Sequence, residues 1–397
     1  MSRRFQTPQA FGCSLSAVAV AITVALMVFA LVAAVAAMAA PDVYSGVRQH
    51  AIGLAGSFGS QGVVAGLLRP VLKEAATSTS RWTGVAVTTD GRVFVNFPRW
   101  SDDARLAVAE VMPDGSLAAF PDASWNYRPA DPKARLGPPD RRFVCVQSVV
   151  ADDRGGLWVL DPANPMFRGT MSGQAKLVRF DPATGEVVRT YKFDSEIAPA
   201  ASYLNDVRID LDRGYAYITD SGLGALVALD LESGVARRLL QDQPATKAEP
   251  GVGVTVEGRP FDMPVHCDGI ALDPDGDIVY FQALTGRTLW CIPGAVLRDA
   301  GLSADDLVLE LAIVGEGAAS DGLLWYRGKV LLTAIEDNAI IAVSPRGTAH
   351  TVISDPRLKW PDSLALGTDG AIWITTSQIH LGDDPAQPFR LLKLEFE

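Results

Sequence analysis

The stretch "PVHCDGIALDPDGDIVYF", Pro264 to Phe281, sets a carboxylate, Asp268, just ahead of an apolar strand, a Gly turn and a second apolar strand. Five other segments read alike: "TGVAVTTDGRVFVN" from Thr83, "QSVVADDRGGLWVLD" from Gln147, "NDVRIDLDRGYAYITD" from Asn205, "DGLLWYRGKVLLTA" from Asp321 and "DSLALGTDGAIWITT" from Asp362. Their first residues, Thr83, Gln147, Asn205, Asp268, Asp321 and Asp362, amount to three carboxylates and two carboxamides besides the threonine. Carboxylates brought close together raise one another's pKa or recruit a cation. Oxygen donors without sulfur or imidazole suit Ca2+ or another divalent cation such as Mg2+, with Asn205, Asp268, Asp321 and Asp362 as the ligand set. An organic ammonium is the other candidate, because Trp82, Trp125, Tyr127 and Trp360 border the set in sequence and offer aromatic faces. The plain alternative is that Asp-Gly and Asp-Ser starts only cap strands through local bonds to the backbone.

His266 lies two residues before Asp268 and, in an extended strand, points the same way, which makes it the candidate general base. His50, His350 and His380 have no comparable context. The second strand of each repeat returns toward the same end, where Asn96, Asp161, Asp220, Gln282 and Glu336 fall at matching positions. The expected ligand-binding set is therefore Gln147, Asn205, Asp268, Asp321 and Asp362, joined by Asp220. No G-x-S-x-G elbow, P-loop, H-E-x-x-H or C-x-x-C occurs, so serine hydrolysis, nucleotide chemistry and thiolate zinc sites lack support.

Such residues can converge only if the strands that carry them do. Asp-Gly and Arg-Gly between apolar runs are hairpin signals, because Gly accepts the positive φ of a tight turn. The pattern recurs at intervals of roughly 40 to 65 residues, a period that belongs to solenoids and propellers. Further hairpins, such as "KLVRFDPATGEVVRTYKF" from Lys176 and "ALVALDLESGVARRLL" from Ala225, raise each repeat to four strands. The expectation is an all-β, six-bladed β-propeller of four-stranded antiparallel blades, whose first strands line a central channel. Trp158, Tyr217, Tyr280 and Trp373, at like places in second strands, then pack between blades. The sixth repeat ends one strand short, after "FRLLKLEFE", so a segment near Leu67 to Ala75 is expected to supply the missing strand. The helical pieces are short, such as "GAVLRDAG" from Gly294.

The first forty residues stand apart: Arg3 and Arg4 precede an uncharged stretch from Phe5 to Pro41 that is apolar from Ala17 to Ala40 except for Thr23. This reads as a hydrophobic export segment. It exceeds the about 20 residues that cross a bilayer, yet ends in the cleavable pattern Ala-Met-Ala-Ala, so signal peptide and membrane anchor both fit. The expected organisation is residues 1–40 as signal or anchor, 41–65 as linker and 66–397 as propeller. The protein would be secreted or periplasmic, or anchored with the propeller outside the cytoplasm; an uncleaved segment would be its only tie to the membrane. A formal net charge of −11 without a Lys/Arg run argues against a nucleic-acid partner. Cys145, Cys267 and Cys291 allow at most one intramolecular disulfide in the exported domain.

The segments "GRVFVNFPRW", "PDASWN", "GGLWVLDPAN", "YAYITDSGLGALVALDLESG" and "IVYFQALTGRTLWCIPGAVLRD" resemble, in order, the signatures of the major royal jelly protein/yellow family in its bacterial branch. The likeness runs from about Trp82 to the C-terminus. It implies a six-bladed propeller and export, and its insect members include amine- and sterol-binding proteins and a dopachrome-converting activity. At the level of hairpin repeats the chain is also distantly similar to the gluconolactonase/senescence-marker propellers, which hold a divalent metal in the tunnel. That pattern expects a glutamate where Thr83 stands. The function expected is binding of a small organic molecule at an acidic channel mouth. A metal-dependent lactonase and a dopachrome-tautomerase-like isomerase are the enzymatic alternatives.

Overall fold

The structure, a computed structural model, describes residues 69–101, 106–126, 141–382 and 388–397. The expected export segment and linker, and Tyr127, lie outside the described residues. The described strands form six four-stranded antiparallel sheets and one two-stranded hairpin. The inner strands of blades one to six are Val85–Val87, Ser148–Ala151, Leu204–Asp210, Cys267–Asp273, Ser320–Tyr326 and Pro361–Leu366. In blades one to five, strand order in the sheet follows the sequence outward from these.

Blade six is completed from the other end of the chain. Pro70–Ser78 pairs antiparallel with Phe389–Phe396, from Pro70 opposite Phe396 to Ser78 opposite Phe389. The strand begins at Pro70 rather than Leu67, and Pro suits the first residue of a strand because it has no N–H to offer the ladder. Closure gives every blade two neighbours, which protects sheet edges that would otherwise pair with other chains.

Burial falls outward from the axis, and the sequence pattern follows from it. The second strand of blade two, Leu157–Asp161, is buried at every residue, whereas its outermost strand, Val187–Lys192, buries only Tyr191. Second strands touch adjacent blades on both faces and so read as unbroken apolar runs. Trp158, Tyr217 and Tyr280 are at most 1% exposed and do pack between blades, while Trp373 is only partly buried. A fully buried side chain of this kind contributes about 1.5–3 kcal/mol. Cys145, Cys267 and Cys291 are buried and unpaired with one another.

Two features interrupt the repeat. Blade four carries two short helices between its outer strands, α1 (Gly294–Arg298) and α2 (Ala304–Leu309). A capping box between Ser303 and Asp306 starts α2, satisfying backbone N–H groups that its first turn leaves free. Between blades three and four, Val254–Val256 and Arg259–Phe261 form a separate hairpin, which the hairpin repeat in the sequence did not foretell. Its turn residue Glu257 ion-pairs with Lys359 at 2.9 Å and contacts His380 at 3.1 Å, strapping the hairpin to the start of blade six.

Candidate functional site

The inner strands of blades three to six share a defect at their first residues. Pairing to the second strand breaks between Leu204 and Val207, Cys267 and Ile270, Ser320 and Leu323, and Pro361 and Leu364. A bulge of this kind leaves residues outside the ladder and re-aims their side chains. The residues released are Asn205-Asp206, Asp268-Gly269, Asp321-Gly322 and Asp362-Ser363.

Polar side chains of the second strands take over the freed backbone groups. The Thr219 hydroxyl accepts from the Asp206 N–H at 3.0 Å and donates to the Asp268 carbonyl at 2.6 Å. Thr333 accepts from the N–H groups of Asp321 and Gly322 at 3.2 and 2.9 Å. Thr375 accepts from the Ser363 N–H at 3.1 Å and donates to the Thr83 carbonyl. In blade one Asn96 accepts from the Gly84 N–H and donates to the Gln147 carbonyl, at 2.9 and 3.0 Å. Three of these four clamps thus bind the first residues of their own blade to the ring residue of the next. The glycines are required by closeness: a Cβ on Gly269 would lie 2.6 Å from the Asp321 carbonyl oxygen, and one on Gly322 2.2 Å from that of Asp362.

Held this way, Asp268, Asp321 and Asp362 converge as expected, at 3%, 8% and 4% exposure. Asp321 stands within hydrogen-bonding reach of both others, so the three form one contiguous row of carboxyls, and Asp206 adds its charge to each. Burial, then the charge of Asp321, pushes the Asp268 and Asp362 carboxyls well above the usual range. Burial also raises Asp321, to about 7, against the pull of the Trp360 indole N–H, which donates to Oδ2 at 2.6 Å. Oδ2 of Asp362 is buried and has no hydrogen-bond partner. Among the described residues no Lys or Arg ion-pairs with any of the three.

Blade three departs from the expectation. Its carboxylate on the axis is Asp206, one residue after Asn205, which instead donates to the Ser221 hydroxyl at 3.0 Å. Asp206 accepts from the Ser148 hydroxyl at 2.9 Å and lies 3.6 Å from Arg208. Burial raises its pKa, with Arg208 opposing. The sequence signal was present: "ND" stands where three other repeats read Asp-Gly or Asp-Ser.

Gln147 lies at the rim, its Oε1 accepting from the Tyr203 hydroxyl at 2.8 Å. Tyr203 in turn accepts from the Trp100 indole N–H at 2.6 Å. Phe167 lies against both rings, with centroids 5.5 Å from Trp100 and 5.3 Å from Tyr203, and is 56% exposed. This aromatic patch, missed from sequence, adjoins the carboxylates: Asp268 is among the charges that raise the Tyr203 pKa, after burial and Cys145. Of the aromatics expected at the ring, Trp360 reaches it, while Trp82 and Trp125 belong to the core.

Three assignments are corrected. Asp220 does not face the mouth: its oxygens accept from the N–H groups of Tyr203, Gly222 and Leu223 and from the Ser202 hydroxyl, and pair with Arg238 at 2.6 Å. Asp161 and Glu336 are likewise taken up, by Lys176 at 2.9 Å and Arg287 at 2.6 Å. Asn205 turns to Ser221, as above. His266 accepts the Ala248 N–H on Nδ1 at 2.9 Å, so the neutral ring carries its proton on Nε2. Burial, then Lys247, lowers its pKa. Such a ring donates from Nε2 and has no free lone pair with which to act as a base.

A divalent ion is the group that similar tunnels imply, and the described residues provide no group of three or more His, Cys, Asp or Glu placed to hold a metal. Asp268, Asp321 and Asp362 therefore do not fit it.

A ring of six four-stranded antiparallel sheets with polar residues converging on its axis defines an all-β, six-bladed propeller. The model of the family described as "Major royal jelly protein" matches residues 144–382, and the chain belongs to that family. No curated protein sequence matches it. Among solved structures it is similar to a gluconolactonase from Xanthomonas campestris, at 14% identity and a TM-score of 0.52, over 82% of this chain and 89% of that one. It is also similar to the PQQ-bound aldose sugar dehydrogenase of Streptomyces coelicolor, at 13% identity and a TM-score of 0.50, over 84% and 100% of the two chains. Identities this low carry the fold alone.

Proposed function

We propose that this protein binds a small organic cation with an aromatic body at the channel mouth, its ammonium over Asp268, Asp321 and Asp362 and its ring against Phe167 and Tyr203. The observation that carries this reading is that, among the described residues, no Lys or Arg pairs with these three buried carboxyls. Buried carboxylates without a cationic partner either hold protons or take a counter-ion, and both outcomes follow from the same desolvation penalty. An arriving ammonium displaces protons from the row, while the exposed face of Phe167 offers cation–π and stacking contact. Gln147 and Tyr203 present polar atoms at the rim that select among ring substituents. The reading is one of binding in an exported protein. The lactonase alternative is weakened by the proton position on His266 and the misfit of the row to a divalent ion, and nothing in the site favours a tautomerase.

The test is a thermal-shift and calorimetric comparison of arylalkylamines with their neutral alcohol analogues and with Ca2+, at pH 6 and pH 8. Binding of the amines alone, tighter at pH 8, supports the proposal. Equal binding of the alcohols, or a response to Ca2+ only, overturns it.

A further inference from the structure

The channel has a second chamber. Beyond the layer of Asp206 and Arg208, toward the opposite end of the inner strands, lies a cavity of about 310 Å3. Ligand pockets begin near this size, at about 300 Å3. Its middle is apolar, from Val150, Ile209, Leu272, Leu324 and Leu364, and its outer rim carries Asp152, Asp153, Asp210 and Asp212. Its floor is polar and consists of Ser148, Asp206 and Arg208.

Arg208 forms this floor by reaching across the axis. Its Nη2 donates to the Leu323 carbonyl of blade five at 2.6 Å and its Nη1 to the Val207 carbonyl at 2.7 Å. The guanidinium thus separates the cavity from the carboxylate row at the other mouth. Its contact with Asp206, at 3.6 Å, is a charge pairing too long for a hydrogen bond. Among the described residues Nε of Arg208 has no acceptor and Oδ2 of Asp206 no hydrogen-bond donor. Arg208 and Asp206, opposite in charge and side by side, therefore line the inner end of the chamber.

We infer that this chamber is a second binding site, independent of the mouth, for a small zwitterion with an apolar side chain, an apolar α-amino acid being the model. The floor is neutral as a pair, so a ligand of net charge would bring an uncompensated charge into a desolvated space. A zwitterion brings none: its carboxylate meets Arg208, its ammonium meets Asp206, and its side chain replaces water along the walls. At the far rim Asp152 pairs with Arg179 at 2.8 Å, Asp212 with Arg154 at 2.6 Å and Asp210 with Arg213 at 3.3 Å, which leaves the exposed Asp153 as the rim's one carboxylate without an ion pair among the described residues and favours a ligand that carries an ammonium over a bare anion.

Titration calorimetry with L-leucine, 4-methylpentanoate and 3-methylbutylamine tests the assignment. The expected result is saturable binding of leucine, with the acid and the amine each at least tenfold weaker. Arg208→Met should abolish binding. Should that variant not fold, Leu324→Phe, which fills the chamber and leaves the floor intact, decides instead by the same loss. An arylalkylamine, the ligand proposed for the other mouth, should not compete with leucine, which separates this site from that one; competition between them would overturn the independence of the two sites. Binding of the acid or amine as tight as leucine, no binding of leucine at millimolar concentration, or retention of binding in Leu324→Phe overturns the inference.

Discussion

Trp360 donates its indole N–H to Oδ2 of Asp321 at 2.6 Å, and this one bond orders the three carboxyls of the mouth. It stabilises the ionised form of Asp321 against burial, so Asp321 is the member that gives up its proton near neutrality while its neighbours hold theirs.

A carboxyl whose folded pKa exceeds its unfolded one keeps a proton that the unfolded chain has already released. Stability is then lost as pH rises between the two values. For Asp321 the window runs from 3.8 to about 7. Melting temperature without ligand should fall across that window, each proton held adding a slope of up to about 1.4 kcal/mol per pH unit. Asp321→Asn should flatten the profile, and a profile that rises with pH would contradict the assignment.

Asp268→Asn keeps a donor toward Asp321 and takes away a carboxyl that can ionise beneath an ammonium. Melting of the free protein should stay level or rise, while affinity for an arylalkylamine should drop about tenfold or more. Lower stability with unchanged affinity would return Asp268 to a capping role.

Asp220→Ala should behave in the opposite way. It strips the partner of Arg238 and the acceptor for three backbone N–H groups, so denaturant unfolding should show a loss of about 3–5 kcal/mol. Amine affinity of the folded fraction should not change.

Phe167→Ala removes an exposed ring whose backbone sits at a φ of 53°, a conformation that favours smaller residues. Stability should change by no more than about 0.5 kcal/mol. Amine affinity, read by calorimetry, should weaken about three- to tenfold with the loss of the aromatic face.

The blade repeat was legible because every blade repeats the same local needs: a polar start, an apolar strand, a Gly turn and a second apolar strand. Asp268, Asp321 and Asp362 were legible for the same reason, as equivalent residues in equivalent frames. Asp206 was not, because a bulge shifts which of two adjacent residues meets the axis, while the repeat keeps Asn205 in the frame of its neighbours. Asp220 shows the converse: a carboxylate at the right height can belong wholly to its own blade. Trp100, Phe167 and Tyr203 come from three separate connections, so their meeting leaves no spacing to read. The hairpin at Glu257 has no counterpart in the other repeats and hence no period to reveal it.

Lys73 and Glu395 touch across 322 residues of sequence, within the strand pair that seals blade six. The propeller therefore cannot finish until the end of the chain is present. During synthesis the strand from Pro70 to Ser78 waits unpaired while five blades assemble behind it, and only Phe389–Phe396 releases it from waiting. Such long-range pairing is slow, and the open ring is the state in which this protein is exposed to aggregation and proteolysis.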